Sequence, residues 1–135
     1  MTTRDKANSI ALKLRALRTT LSSYFVEREE LIDLLILSTV LQEPLLLVGD
    51  PGTAKSDLIV TFCESLQLPK EDYFEYMLTK FTEPSEILGP IDIGLLKKGH
   101  YIRRITGRLP TAQVIFLDEI FKSNSAILNT LLTII

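Results

Sequence analysis

Apolar residues Ile10, Leu14, Leu17, Leu21 and Phe25 recur at spacings of three and four. That period predicts an amphipathic helix over roughly residues 5–23. A second helix is expected from Glu27 to Gln42. Its residues Leu34–Leu37 are apolar nearly all round, which predicts burial, and Pro44 stops it. The run Leu45-Leu46-Leu47-Val48 is short and wholly apolar, the pattern of a buried first strand. From Ser56 to Leu66 the helical period returns, with Leu58, Ile59, Phe62, Cys63 and Leu66 as the buried face.

The second half alternates differently. Pro69-Lys70-Glu71-Asp72 reads as a turn, and Phe74 to Leu78 as a second strand with Tyr73 leading into it. Thr82-Glu83-Pro84-Ser85-Glu86 has the form of a helix start, with Pro84 in the first turn. Gly89-Pro90 ends that short helix. Tyr101–Ile105 is expected to pair back as a hairpin across Lys97-Lys98-Gly99-His100. Gln113–Leu117 predicts a third strand. Ser123 or Asn124 caps a last helix from Ala126 to the end, with Ile127, Leu128, Leu131, Leu132 and Ile135 apolar. A strand, a loop and a helix, then two more strands, predict a mostly parallel, three-layer α/β domain.

Composition narrows the class. The chain has 135 residues, enough for one core but not two; it is 46% apolar and carries a net charge of −2. That balance disfavours global disorder and a nucleic-acid footprint. Arg103, Arg104 and Arg108 make the hairpin segment basic, and the first 23 residues are locally basic too, with Arg4, Lys6, Lys13, Arg15 and Arg18 against Asp5. A solvated helix face is the simpler reading of these charges, and a partner contact the sharper one. Cys63 stands alone in an apolar helical pattern, so it is expected in the core and no intrachain disulfide can form. His100 lies in a Gly-His turn and gives no support to a metal centre. The N-terminus is polar, without the pattern of a signal peptide. Asp33, Gln42, Glu43 and Pro44 interrupt the apolar stretch Leu31–Val48, which fits helix-then-strand better than a membrane span. A cytoplasmic protein is expected.

Two segments carry chemistry. Gly49-Asp50-Pro51-Gly52-Thr53-Ala54-Lys55-Ser56 follows the first apolar run and opens a helix. It has the form of the phosphate-binding loop of nucleoside triphosphatases, with Ala54 in place of a second glycine. Backbone N–H groups of such a loop wrap phosphates, aided by the helix dipole. Lys55 can reach the β- and γ-phosphates, and Ser56 can ligate Mg²⁺. Ala54 still offers its N–H, provided its backbone avoids the left-handed region. Asp50 is expected to point away from the phosphates, since an acid beside them is unfavourable. The second segment is Val114-Ile115-Phe116-Leu117-Asp118-Glu119, a buried strand with two carboxylates at its C-terminal end, where ligands bind in open α/β sheets. Asp118 suits the Mg²⁺ shell. Glu119 suits orienting and deprotonating a water. A strand ending in two solvated acids is the bland alternative, which the phosphate loop in the same chain makes the weaker one.

Taken together, these segments resemble the nucleotide-binding part of a MoxR-family AAA+ ATPase, closest to the RavA branch. The likeness rests on Gly49–Ser56 including Ala54, on Phe116-Leu117-Asp118-Glu119-Ile120-Phe121-Lys122, and on Ala126-Ile127-Leu128-Asn129-Thr130-Leu131-Leu132. Tyr24-Phe25-Val26-Glu27-Arg28 and Glu83-Pro84-Ser85-Glu86-Ile87-Leu88-Gly89-Pro90 add to it. The resemblance implies a P-loop NTPase three-layer sandwich of AAA+ type and an ATPase that works as a ring, usually a hexamer. It implies ATP and Mg²⁺ as cofactors. It implies chaperone-like remodelling of protein clients, often with a von Willebrand factor A partner. Carried over by position, residues 49–56 and Asp118 bind nucleotide, Ser56 and Asp118 serve the metal, and Lys55 and Glu119 serve catalysis. Phe25, Val26 and Glu27 either approach the adenine or simply pack between two helices. The glycine-bearing stretch 89–108 falls where this clade inserts a hairpin, which is either a client contact or an ordinary surface turn. Helices 1–43 then precede a partial nucleotide-binding domain, 44–135, truncated before the fourth strand and the helical lid. The family's sensor and arginine finger lie beyond Ile135. A fragment that is marginally stable, that associates, and that turns over ATP slowly or not at all is therefore expected.

A non-hydrolysing nucleotide switch would not need Glu119, which is present. No Asn-Lys-x-Asp motif supports a GTPase, and the Asp-Glu pair fits water activation better than transfer to a kinase acceptor. A DNA-dependent relative has only Arg103, Arg104 and Arg108 in its favour.

Overall fold

The computed structural model describes residues 2–49 and 55–134. They form two compact units, 1–65 and 66–135. The first is helical and the second is α/β around a small parallel sheet.

The first unit holds α1 (Thr3–Tyr24), α2 (Glu29–Leu41) and α3 (Lys55–Ser65). Helix α1 starts where Thr2 and Asp5 satisfy each other's backbone N–H groups: Asp5 N donates to Thr2 Oγ1 (3.2 Å) and Thr2 N to Asp5 Oδ2 (2.8 Å). The apolar stripe of α1 is only partly used, since Leu21 is buried while Ile10 stays exposed. Helix α2 buries Ile32 and Leu35 but exposes Leu34 and Leu37, so the all-round burial expected of it is wrong; one face only is covered. It begins two residues later than expected, because Glu27 is left-handed (φ 59) and breaks the helical path. It ends at Gln42, again left-handed, ahead of Pro44. Helix α3 buries Leu58, Phe62 and Cys63; Ile59 and Leu66 are half-buried.

The expected first strand is absent. Residues 45–48 take no strand conformation, and Leu46 and Val48 are 60% and 75% exposed. A strand exists only through backbone partners on a neighbour, and among the described residues none pairs with this run.

The second unit contains β1 (Tyr73–Met77), α4 (Pro84–Leu88), α5 (Ile93–Leu96), β2 (Val114–Asp118) and α6 (Ser125–Leu132). The strands pair in parallel, from Tyr73 opposite Val114 to Met77 opposite Asp118, and Leu78 N extends the ladder to Asp118 O at 2.9 Å. The crossover between them carries α4 and α5. Phe74 and Leu78, on one face of β1, pack with Ile87 of α4, Leu109, and Ile127 and Leu131 of α6. Helix α4 is capped by the reciprocal pair Glu83 and Glu86 and closed by Gly89 at φ 94. A Cβ on Gly89 would stand 2.0 Å from the Arg104 carbonyl oxygen, so only glycine fits. Helix α6 is capped by Asn124, which accepts from Ile127 N at 3.0 Å, and it stops at Leu132 rather than running to the end.

The expected hairpin is reduced to one antiparallel bridge, Ile91 with Arg103, flanked by Asp92 N to Ile102 O (2.8 Å) and Arg104 N to Pro90 O (2.9 Å). Asp92 diverts the chain into α5 by capping Leu95 N at 3.1 Å, a local bond that competes with a longer ladder.

Candidate functional site

Each unit carries one half of the constellation. In the first, Lys55 opens α3 and Ser56 follows in its first turn, exposed. The Lys55 side chain turns back over Gly49: a Cβ on Gly49 would lie 3.2 Å from Lys55 Nζ. Glycine at 49 thus clears the space that the ammonium uses. Asp50, Pro51, Gly52, Thr53 and Ala54, the rest of the predicted loop, lie outside the described residues.

In the second unit, Asp118 is the last residue of β2 and Glu119 the residue after it, both half-buried. Asp118 Oδ1 accepts the Glu119 N–H at 2.8 Å. Glu119 is left-handed (φ 57, ψ 39), uncommon for a side chain with a Cβ. It caps a 3₁₀ turn, Ile120–Lys122, and its carbonyl accepts Lys122 N at 2.8 Å. The Lys122 ammonium meets Glu119 Oε1 at 2.7 Å. Asn124 ties the following turn to the loop after β1, donating to Lys80 O (3.1 Å) and Thr82 O (2.9 Å).

Among the predicted site residues, Gly49 is thus brought together with Lys55, and Asp118 with Glu119. Val26 is exposed and Phe25 half-buried at the end of α1. Sequence reasoning missed Lys122, although its spacing of three from Glu119 was a visible signal. It also missed the work of the arginines. Arg103 Nη1 donates to Gly89 O, Arg104 Nε to Asp92 Oδ2 and Arg108 Nη1 to Glu86 O, each at 2.9 Å. They fasten the crossover instead of forming a free basic patch.

Asp92 is held below the ordinary carboxylate range by the Arg104 guanidinium and then by the Leu95 N–H. Glu86 is lowered mainly by the Tyr76 hydroxyl, whose own value is raised by the same bond.

Residues 12–135 match the MoxR domain of the MoxR–vWA–beta-propeller ternary systems. The chain belongs to the MoxR family. MoxR proteins are AAA+ ATPases that use ATP and Mg²⁺, and Lys55 over Gly49, with Ser56 beside it, is a donor set suited to a phosphate and its metal. Two uncharacterized proteins of Methanocaldococcus jannaschii are similar to this MoxR chain. One is 43% identical over 129 residues, 95% of this chain and 33% of the relative. The other is 44% identical over 123 residues, 90% of this chain and 32% of the relative. A structural protein of Acidianus two-tailed virus is 34% identical over 130 residues, 95% of this chain and 21% of its own length. The chain spans about a third of the length of the two archaeal relatives. Among the described residues, no helix is long and apolar enough to cross a membrane.

Proposed function

We propose that this chain is the partial nucleotide-binding domain, 44–135 preceded by helices 1–43, of a cytoplasmic MoxR-type ATPase of the RavA-like branch. The fold it belongs to is the P-loop NTPase sandwich of AAA+ type. The protein works as a hexameric ring that remodels protein clients with a von Willebrand factor A partner. The observation that carries this reading is the Lys55 ammonium seated over Gly49 at the head of α3.

When bound, MgATP supplies the bond to be broken and the charge of the metal. Gly49 to Ser56 (Asp50, Pro51, Gly52, Thr53 and Ala54 included) hold the phosphates, with Lys55 neutralising charge at the β- and γ-positions. By the family resemblance, Ser56 and Asp118 would each serve Mg²⁺. Glu119 orients the attacking water and accepts its proton. The half-turn around α5 presents exposed Ile93 and Tyr101 and suits contact with an unfolded client.

MgATP binding and turnover by the protein at its full natural length, beside Lys55→Ala, test the reading. Binding lost in the variant, together with steady hydrolysis in the parent, is expected. A folded parent that neither binds nor hydrolyses ATP would sink it. A second reading, a nucleotide-binding module that does not hydrolyse, is favoured by the relative that is a viral structural protein. Binding without turnover at full length would select it.

A further inference from the structure

Glu119 sits on a backbone that leaves it little freedom. Its left-handed conformation is unfavourable for a residue with a Cβ and persists only where the surroundings over-determine it. Here they do. Asp118 Oδ1 takes its N–H, Lys122 N takes its carbonyl, and Asn124 anchors the next turn to Lys80 and Thr82. Glu119 stands at the N-cap of the 3₁₀ turn Ile120–Lys122, three residues before Lys122. The turn closes Lys122 N onto the Glu119 carbonyl at 2.8 Å, and the Lys122 ammonium reaches back to Glu119 Oε1 at 2.7 Å.

The pairing is one-sided. Lys122 Nζ takes Oε1, and among the described residues Oε2 has no hydrogen-bond partner. An anchored oxygen beside an open one is the arrangement wanted of a group that must aim at a water. Lys122 itself is largely exposed (68% of its side chain), so burial does not explain its presence. Stabilisation does not either, since exposed ion pairs contribute little.

We infer that Lys122 is a positioning residue for Glu119, fixing Oε1 so that Oε2 is presented to the attacking water. The inference rests on the proposed hydrolytic role of Glu119. In the protein at its full natural length, Lys122→Met, of similar length and without the charge, lowers kcat for MgATP about ten- to a hundredfold and leaves KM within about twofold. Lys122→Arg, which keeps a cation in reach, restores most of the rate. In a Glu119→Gln background, Lys122→Met costs nothing further. A readout independent of turnover is the side-chain order parameter of Glu119 in the nucleotide-free protein. It falls toward the ~0.6 of a flexible group in Lys122→Met and holds in Lys122→Arg.

Unchanged kcat in Lys122→Met, an equal loss in the Glu119→Gln background, or an unaltered order parameter overturns the positioning role. These outcomes, with Glu119→Gln inactive, leave the ATPase reading standing. A parent that fails to hydrolyse MgATP overturns both, whereas a Glu119→Gln variant as active as the parent overturns the positioning role and the role of Glu119 but leaves an ATPase.

Discussion

The two units answer the same apolar patterning in different ways. In residues 66–135, short apolar runs became strands because each had the other: Tyr73–Met77 and Val114–Asp118 satisfy one another's backbone. In residues 1–65, the run Leu45–Val48 is as apolar as either strand and pairs with nothing described. The helices of that unit need no such neighbour, since an α-helix closes its hydrogen bonds within itself. Helix formation is a local decision, and strand formation is a decision about two segments. The first unit therefore realises its periodicity and loses its strand. The second realises both and adds cross-links between side chains and backbone: Arg103 to Gly89, Arg108 to Glu86, Asn124 to Lys80 and Thr82.

The strongest way to break the contrast is to unpick the crossover. Gly89→Ala places a Cβ against the Arg104 carbonyl at a positive φ, and the loss is expected to be about 4 kcal/mol or more. Denaturant unfolding measures it, and hydrogen exchange assigns it to β1 and β2. A loss under 1 kcal/mol would show that the backbone around residues 89 and 104 yields easily.

Next come the cores. Ile127→Ala in the second unit and Leu58→Ala in the first each remove a fully buried side chain, at about 2–5 kcal/mol. Amide protection should fall in β1 and α6 for Ile127→Ala, and in α1 and α3 for Leu58→Ala. Equal loss across both sets in both variants would mean that the two units unfold as one. Asn124→Ala is smaller, about 1–2 kcal/mol, because it removes one helix cap and two loop anchors but no packing. Asn124→Ser should recover the cap and not the anchors, so the difference between the two variants isolates the tie to Lys80 and Thr82.

What was legible in the sequence follows the same division. Helices α1 and α3 stood close to their expected places and α6 began where expected but stopped short, because spacing defines a helix better than it defines its end. The parallel strands at 73–77 and 114–118 were legible too, since apolar length and flanking turns marked both ends. The carboxylates at the end of β2 came from that same reading. The strand at 45–48 was misjudged because nothing within a four-residue run says whether a neighbour will pair with it. The hairpin over 97–105 was misjudged because Asp92 offers a competing local bond. The loop motif marked Gly49 and Lys55 as residues of one loop, but neither their contact nor that of Glu119 with Lys122 was read from the sequence, and no rule in it announces a left-handed glutamate.

The smallest effect expected is one of pH, and it sharpens the comparison most finely. Glu86 is lowered by the Tyr76 hydroxyl and then by the Glu83 N–H; Asp92 is lowered by Arg104 and then by the Leu95 N–H. In the first unit Asp33 is lowered by Arg18, whose Nη2 lies 2.9 Å away. A carboxyl lowered in the folded state binds its proton more readily when unfolded. Its contribution is therefore present above the ordinary carboxylate value and is lost as the pH falls through the lowered one. All three groups are solvent-accessible and salt-screened, so each contribution is modest. The bonds differ in kind, however. Arg18 with Asp33 joins two helix surfaces, whereas Glu86 and Asp92 cap turns within the crossover. Between neutral pH and pH 3, Glu86→Gln should flatten the acid loss of amide protection around α4 and leave α1 and α2 unchanged. Asp33→Asn should do the reverse. If both variants flatten the same amides, the acid response belongs to the chain as a whole and not to either set of contacts.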